Sequence, residues 1–230
     1  MEPATATPRQ VGKDLFAPIA VTYERWARLL SLGQDARWRE AMVDGFDLSP
    51  GSRVLDVAAG TGSITRLLEA RDLDVVSIDQ SGEMIRLAQH QGAVPVLATA
   101  EQLPFADGTF DGLTFGYLLR YVNDVTRCLH ELVRVVRPGG TIGMVEFGQP
   151  TGVWRPAWQL YTRVALPAAG AVIQSGWAEV GRFLGPSISE FAKVHPPDVL
   201  AGEWQDAGMS DVRIRRMSLG GGLVMWGRRR

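Results

Sequence analysis

The feature that most constrains this chain is a buried strand pattern that runs directly into a glycine-rich turn. Residues 53–57 read Arg-Val-Leu-Asp-Val, and Ala-Ala-Gly-Thr-Gly follows at once. β-Branched and apolar residues favour a central strand, and glycine lets the backbone turn sharply. The pattern predicts a strand, a tight loop and a helix that begins near Ser63, whose N-terminus faces an anionic group. A tight turn without a ligand is the alternative.

Asp56, in the predicted strand, distinguishes between two classes of ligand. A carboxylate ahead of the glycines repels a pyrophosphate, but it suits a ligand that carries an ammonium beside its negative group, as an amino acid does. The dinucleotide fingerprint also requires a third glycine, and this chain has Thr65 there. The sequence therefore favours a ligand with an amino-acid end over a dinucleotide.

Strand and helix patterns alternate beyond the glycine turn. The predicted strands are residues 75–78, 94–97, a strand through 113–115, and 141–147. A helical pattern that contains Leu129, Leu132, Val133 and Val136 is predicted to stop at Pro-Gly-Gly, residues 138–140, before the last of these strands. This alternation is typical of an α/β fold, with a parallel sheet covered by helices on both faces and ligands at the carboxyl ends of the strands.

Three other segments complete the predicted organisation. Residues 1–45 form an N-terminal helical segment with a break near Gly33, and residues 149–197 scatter aromatic side chains among alanine, glycine and proline, which predicts a helical cap insert. Residues 198–207 are predicted as a helix, and residues 212–216 and 222–226 as strands that pair in a hairpin. At 230 residues, we expect a single domain.

Composition excludes several classes of function. The 24 basic and 25 acidic residues give a net charge of −1, so no general field attracts nucleic acid. Cys128 is the single cysteine, which rules out an internal disulfide and fits a reducing compartment. No uninterrupted apolar run approaches the length of a membrane span, and we expect a cytoplasmic protein without a metal.

Asp79 ends the second predicted strand, where a parallel sheet brings it beside the glycine turn. A carboxylate about 20 residues beyond the glycines can accept both hydrogen bonds of a ribose diol. The alternative is that Asp79 caps the helix predicted at residues 81–89.

Motifs spread over nearly the whole chain are similar to those of one enzyme family. They are residues 32–39, 56–62, 103–105, 109–111, 119–122, 137–140, Glu146-Phe147, His195-Pro196 and 221–224. Together they resemble the class I S-adenosylmethionine-dependent methyltransferases, and within them the ubiquinone/menaquinone biosynthesis C-methyltransferase family. The resemblance implies a Rossmann-like seven-stranded sheet whose last strand is antiparallel. It also implies transfer of a methyl group from S-adenosylmethionine to a demethylated quinol such as demethylmenaquinol, with S-adenosylhomocysteine as the product.

The resemblance assigns the cofactor-binding residues. Asp56 meets the ammonium directly or through water, the glycine loop supplies close backbone, and Asp79 holds the ribose. The family usually has Asp or Asn at the position of Thr99, near the adenine, so the threonine weakens that contact or shifts it to Glu101. The implied residues are Asp56, Ala58, Gly60, Thr61, Gly62, Asp79, Gln80, Met84, Thr99, Ala100, Glu101 and Gly116.

The resemblance also assigns candidates for catalysis and substrate binding. Arg120 is similar to the family's active-site arginine; because arginine stays protonated, we expect it to stabilise a forming phenolate and orient a water that takes the proton. A structural salt bridge is its alternative. His195 is the candidate for direct proton removal, or it simply leads into the next helix. Tyr23, Tyr117 and Tyr121 are candidate substrate contacts, and Tyr121 replaces an asparagine that often follows the arginine in the family.

The sequence allows more than one prediction for the partners and for the methyl acceptor. The cap insert covers an apolar quinol tail, and Trp154 and Trp158 contact a membrane surface or pack within the cap. A homodimer is also predicted. A different phenolic or polyketide-like acceptor is the second hypothesis, and a non-catalytic module that binds the cofactor is the third.

Overall fold

The computed structural model describes residues 7–90, 95–173 and 175–230. The strands are β1 (Arg53–Val57), β2 (Asp74–Asp79), β3 (Val96–Leu97), β4 (Phe110–Gly116), β5 (Val136–Phe147), β6 (Met209–Met217) and β7 (Gly222–Arg229). The helices are α1 (Pro8–Phe16), α2 (Tyr23–Leu30), α3 (Gln34–Asp44), α4 (Ser63–Glu69), α5 (Gly82–His90), α6 (Val125–Arg134), α7 (Arg155–Leu160), α8 (Leu166–Ile173), α9 (Ser175–Val194) and α10 (Pro197–Asp206).

Within the described ranges the strands form one seven-stranded sheet in the order β3-β2-β1-β4-β5-β7-β6. The pairs among β1 to β5 are parallel, whereas β7 runs antiparallel to both β5 and β6. β6 and β7 are joined by a short turn, so they pair as the predicted hairpin. The α/β class, the seven-stranded sheet and its antiparallel last strand are confirmed.

The start of β5 differs from the prediction. Helix α6 ends at Arg134, and Val136 belongs to the strand. Phe110 pairs with Val136 but Gly112 pairs with Thr141, so Pro-Gly-Gly forms a bulge inside β5 and does not end a helix. The third strand is shorter than predicted, and Val94 lies outside the described residues.

Both faces of the sheet are covered. On one face α3 and α4 bury Trp38, Met42 and Leu68, and on the other α6 and α10 bury Leu132 and Trp204. Strands β1 and β4 lie in the centre and are apolar along most of their length because both faces are buried. Helices α7 to α9 form the predicted helical cap, and α1 packs on α9. None of the described helices combines the length and apolar composition required to span a bilayer.

Substitution of Gly222 by alanine tests this packing. A Cβ at Gly222 would lie 2.3 Å from Cε2 of Trp38, whose indole is buried and donates a hydrogen bond to Ser218 Oγ. Gly222→Ala should therefore lower the free energy of unfolding by about 1–3 kcal/mol, measured by urea denaturation.

Gly202→Ala is the matched control, because nothing lies within 4 Å of a Cβ at that position in α10. Its stability should equal or exceed that of the parent protein, since alanine favours helix. A Gly222→Ala protein as stable as the parent would contradict the contact described.

Candidate active site

Two adjoining cavities open at the carboxyl ends of the central strands. The glycine-loop cavity lies over the turn after β1 and the ends of β2 and β4. The cap cavity lies between α2, α3, β5 and the cap helices α7 to α9. Phe16, Tyr23 and Tyr117 line both cavities, so the two spaces meet at these three rings.

The glycine-loop cavity brings together most of the residues that were predicted to bind a cofactor. All of them line it except Asp56 and Gly62. Gly60 has a φ of +57°, and a Cβ there would meet nothing within 4 Å. This backbone conformation favours glycine. Because Gly60 has no side chain, a ligand in the cavity can approach its backbone closely.

Asp79 lies beside the glycine turn as predicted, whereas Ser81 is the residue that caps α5, with its Oγ accepting a hydrogen bond from the Met84 N–H at 3.4 Å. Asp79 Oδ2 accepts a hydrogen bond from the Gly60 N–H at 2.8 Å, and Asp79 Oδ1 accepts one from the Ser81 N–H at 2.8 Å, just before α5. Burial raises the pKa of Asp79, although the backbone N–H groups oppose this shift. The carboxylate therefore clamps the glycine loop to the end of β2 while it lines the cavity.

Asp56 lies beneath the cavity and not in its wall. The residue is fully buried, with Oδ2 accepting from Thr65 Oγ1 at 2.7 Å and Oδ1 accepting from Thr114 Oγ1 at 2.9 Å. The predicted direct contact with a ligand's ammonium is therefore not available from this position, and only contact through water or the field of its charge is left. Burial raises the pKa of Asp56 to about 6.

The N-terminal helical segment closes the glycine-loop cavity from above. Gly12 and Phe16 line it, and the Glu24 carboxylate on α2 accepts hydrogen bonds from Thr61 Oγ1 at 2.6 Å and Ser63 Oγ at 2.9 Å. Sequence reasoning missed Glu24, because nothing local to α2 indicates that a loop almost 40 residues later lies opposite it.

A buried polar cluster sits where the two cavities meet. Asp35 and Arg39, one turn apart on α3, form a bidentate ion pair, with Arg39 Nε 3.1 Å from Oδ1 and Nη2 2.9 Å from Oδ2. The hydroxyl of Tyr117 donates a hydrogen bond to the same Oδ1. Sequence reasoning also missed Asp35 and Arg39. Their i, i+4 spacing is the signal that points to a pair, but not to its burial.

Arg120 lies in the wall of the cap cavity and is paired with Glu146. Both side chains are 1 % exposed, and Arg120 Nε donates to Glu146 Oε1 at 3.0 Å. Burial alone would lower the pKa of Arg120, but the Glu146 carboxylate and Tyr121 raise it above its ordinary value, so the guanidinium stays charged. The predicted salt bridge and the predicted position at the site are therefore both present. Glu146 Oε2 has no hydrogen-bond partner among the described residues.

The three predicted tyrosines differ in their surroundings. Tyr121 is buried in the glycine-loop cavity wall, stacks on Phe183 with ring centroids 6.1 Å apart, and its hydroxyl accepts from Arg120 Nη1 at 3.2 Å. Tyr23 stacks on Trp177 with ring centroids 6.3 Å apart and lines both cavities. Burial raises the pKa of Tyr23 to about 12, so it enters the site as a neutral phenol.

His195 is not brought into either cavity. It lines a separate open groove beside Asn123 and Phe191, and its Nδ1 is 2.8 Å from Glu203 Oε1. Arg120 lines this groove as well as the cap cavity, and the catalytic role of His195 stays a prediction. Trp158, predicted at a membrane surface or within the cap, lines the cap cavity, whereas Trp154 is 51 % exposed.

Residues 5–228 match the family model described as the ubiE/COQ5 methyltransferase family. The chain belongs to this family. The two joined cavities are the candidate site of this ubiE/COQ5 methyltransferase. No cluster of metal-ligating side chains occurs in the part of the chain that the structure describes.

Relatives within the ubiE/COQ5 family are similar over most of their length. The demethylmenaquinone methyltransferase of Renibacterium salmoninarum is 38% identical over 214 residues, which cover 91% of this chain and 87% of the relative. A protein of Desulfotalea psychrophila, named ubiquinone/menaquinone biosynthesis C-methyltransferase UbiE, is 34% identical over 94% of this chain and 89% of its own.

Solved structures of low identity share the ubiE/COQ5 chain's fold. A SAM-dependent methyltransferase of Thermotoga maritima is 18% identical with a TM-score of 0.65, and the match covers 95% of this chain and 99% of the other. Phosphoethanolamine N-methyltransferase 2 of Haemonchus contortus, in complex with phosphomonomethylethanolamine and S-adenosylhomocysteine, is 13% identical with a TM-score of 0.67, covering 99% of this chain and 61% of the other. Both likenesses concern the fold alone.

The buried carboxylate of Asp56 makes the stability of this ubiE/COQ5 protein depend on pH. Its pKa rises from 3.8 to about 6 on folding, so the folded state binds the proton more tightly and stability falls as the pH rises from about 4 to about 6. Two pKa units correspond to about 3 kcal/mol. Asp56→Asn should therefore be more stable than the parent protein at pH 8, by up to about 3 kcal/mol, and similar to it at pH 4.

Urea denaturation at pH 4, 6 and 8 measures this difference. Asp111→Asn is the contrasting control, because Arg137 and the Arg53 N–H lower the pKa of Asp111, and its loss should destabilise the protein at pH 8. A stability difference for Asp56→Asn that does not change with pH would show that burial does not penalise the Asp56 charge.

Proposed function

We propose that this protein transfers the methyl group of S-adenosylmethionine to a ring carbon of a demethylated quinol such as demethylmenaquinol. The observation that carries the proposal is the junction of the two cavities, where Tyr23 and Tyr117 line both spaces and the charged Arg120 lies in the wall of the second. Family membership and the names of the relatives support this choice of reaction over the other small-molecule acceptors.

The residues of the glycine-loop cavity fit S-adenosylmethionine. The open side of Gly60 leaves room for a ligand against the backbone, and Asp79 offers a carboxylate at the distance along the chain that suits a ribose. Ala100 and Met84 supply an apolar wall, and Thr99 and Glu101 supply polar atoms for an adenine. When bound, the cofactor supplies a methyl group that is already activated by its positive sulfur.

Asp79→Asn should weaken cofactor binding without loss of the loop's shape. The amide retains one acceptor for the Gly60 N–H but loses the acceptor for the Ser81 N–H and the charge that strengthens hydrogen bonds to a ribose diol, which is worth about 1.5–3 kcal/mol. The dissociation constants of S-adenosylmethionine and S-adenosylhomocysteine, measured by calorimetry, should rise by about 10- to 100-fold. Asp107→Asn, at an exposed turn, is the control and should bind as the parent does. Equal affinities for both variants would remove Asp79 from the cofactor site.

The cap cavity suits the ring of a quinol with part of its tail. Its volume is about 280 Å³, and rings from Tyr23, Phe147, Trp158 and Trp177 are part of its wall. This lies near the lower end of the roughly 300–1,000 Å³ typical of small-molecule sites, so a long polyprenyl tail extends through the mouth.

Arg120 provides the positive charge that a reacting quinol requires. A ring carbon becomes nucleophilic as its neighbouring hydroxyl loses a proton, and a buried guanidinium stabilises the negative oxygen that forms. Because Arg120 remains protonated, it acts through its charge and does not take the proton itself.

Arg120→Lys should lower turnover by about 100-fold and leave cofactor affinity nearly unchanged, because lysine keeps the charge beside Glu146 but loses the planar contacts. Arg120→Ala is a poorer test, since an unpaired buried Glu146 costs about 3–5 kcal/mol of stability. Arg137→Lys, in a half-exposed pair with Asp111, is the matched control. Unchanged turnover in Arg120→Lys would remove Arg120 from the reaction.

A panel of acceptors tests the function itself. Demethylmenaquinol, a demethylated benzoquinol and simple phenols are incubated with the protein and S-adenosylmethionine, and methylated products are identified by mass spectrometry. Methylation of demethylmenaquinol at carbon supports the proposal. Preference for a tail-less phenol would favour the alternative acceptor, and cofactor binding without any product would favour the non-catalytic module.

Peripheral membrane contact, a homodimer and a cytoplasmic location stay predictions. Membrane contact is supported by exposed apolar side chains around α7, namely Val153, Trp154, Leu160 and Val164. Arg155 and Arg163 lie among them, and residues 150–178 contain no Asp or Glu. Apolar side chains beside arginines favour an anionic bilayer surface.

A further inference from the structure

The methylation of a quinol ring requires a group that accepts the hydroxyl proton, and Arg120 supplies one only through a water molecule that it orients. Asp35 is the only acidic residue among the described residues that line the cap cavity, and no histidine, lysine or cysteine lines it. His195 faces a different groove. The proton acceptor within the cavity is therefore Asp35 or a water molecule.

Asp35 is connected to the cavity junction through Tyr117. The Tyr117 hydroxyl donates to Asp35 Oδ1, and Tyr117 lines both cavities. Its φ of +57° is unfavourable for a bulky residue, so the packing around it holds the ring in a fixed position. Burial and the Asp35 carboxylate raise the pKa of Tyr117 well above its ordinary value, which keeps its proton in place as a donor.

We propose that Tyr117 and Asp35 form a proton relay that removes the proton of the acceptor's ring hydroxyl during methyl transfer. This inference rests on the proposed function and names the base for that reaction. Tyr117 is the catalytic residue that touches the acceptor, and Asp35 takes the proton that Tyr117 releases.

The relay balances atoms and charge. The hydroxyl proton passes to the Tyr117 oxygen while the Tyr117 proton passes to Asp35 Oδ1, as the carbon–carbon bond forms and the sulfur–methyl bond breaks with its electron pair left on sulfur. The methylated ring carbon then loses its hydrogen to water, and the relay returns a proton to the ring oxygen. One proton is released for each methyl group transferred.

The charged and titratable groups that face Asp35 come from three elements. Arg39 on its own helix α3 holds both carboxylate oxygens, Tyr117 follows β4, and Tyr23 on α2 lies near enough for Asp35 and Arg39 to affect its pKa. The ion pair fixes the carboxylate so that Oδ1 points to Tyr117. A base positioned in this way is worth about 10²–10⁴ in rate.

Asp35→Asn tests the relay through the pH dependence of turnover. The amide keeps the shape but cannot accept a proton, so turnover of the quinol near neutral pH should fall by about 100-fold or more. The deficit should shrink by about tenfold per pH unit at higher pH, since the acceptor's hydroxyl then ionises without help. Asp44→Asn is the matched control, because Asp44 is on the same helix and pairs with Arg71 at the surface.

Tyr117→Phe is the second variant, in case Asp35→Asn perturbs folding. It should show the same pH dependence, and the double variant should lose no more activity than the single ones, because both remove one relay. A loss of equal size at every pH in both variants would overturn the relay and leave a structural role.

A measurement without the methyl donor gives an independent readout. The protein is incubated with 4-nitro-1-naphthol, whose anion absorbs visible light, and the bound naphthol is titrated by absorbance. A nearby carboxylate disfavours a second negative charge, so the naphthol bound to Asp35→Asn should ionise at a lower pH than that bound to the parent protein. Identical titrations would overturn the relay.

The two proposals fail in distinguishable ways. If the parent protein methylates no quinol, the proposed function fails, while the naphthol titration still reports whether Asp35 faces a phenol. If the parent methylates the quinol and Asp35→Asn does so at the same rate across the pH range, the relay fails and the proposed function stands.

Discussion

The buried carboxylate of Asp56 is the interaction on which the site's geometry depends. It lies in β1 and accepts hydrogen bonds from Thr65 at the start of α4 and Thr114 in β4, so one side chain ties the first strand to the helix that follows and to the neighbouring strand. The glycine loop is the short connection between these fixed points. Burying the charge costs stability, and hydroxyl donors only partly offset this cost. We infer that the Asp56 carboxylate has a role in the site, since an uncharged residue would make the same connection at a lower cost in stability.

Two buried arginine–carboxylate pairs flank the junction of the cavities. Asp35 and Arg39 come from the N-terminal helices, and Arg120 and Glu146 come from the loop after β4 and from β5. Each pair is neutral as a unit, so the junction holds strong local fields without a large net charge. The first pair presents a carboxylate oxygen to Tyr117, whereas the second presents its guanidinium to the cap cavity. The two sides of the cap cavity thus offer charges of opposite sign. This suits a reaction in which a carboxylate on one side accepts a proton and a guanidinium on the other side stabilises a negative oxygen.

Much of the fold and the cofactor side of the site could be predicted because the signals are local. A strand, a glycine turn and an amphipathic helix follow one another within residues 53–69, and their register in a parallel sheet brings Asp79 to the same edge. The prediction for Pro-Gly-Gly was wrong because this local signal has two physical solutions. Pro-Gly-Gly commonly ends a helix, but here the chain between Val136 and Thr141 fits into β5 as a bulge, because α6 had already ended.

The sequence by itself determined the alternating α/β order, the glycine loop beside Asp79, the family and the presence of Arg120. These depend on periodicity and on motifs within short stretches of chain. Only the tertiary structure decided that Asp56 lies beneath the cavity, that Arg120 is paired with Glu146, and that Asp35 meets Tyr117. The last two residues are separated by 82 positions. The physical reason is that burial and pairing of a charge depend on which segments, distant along the chain, pack against it.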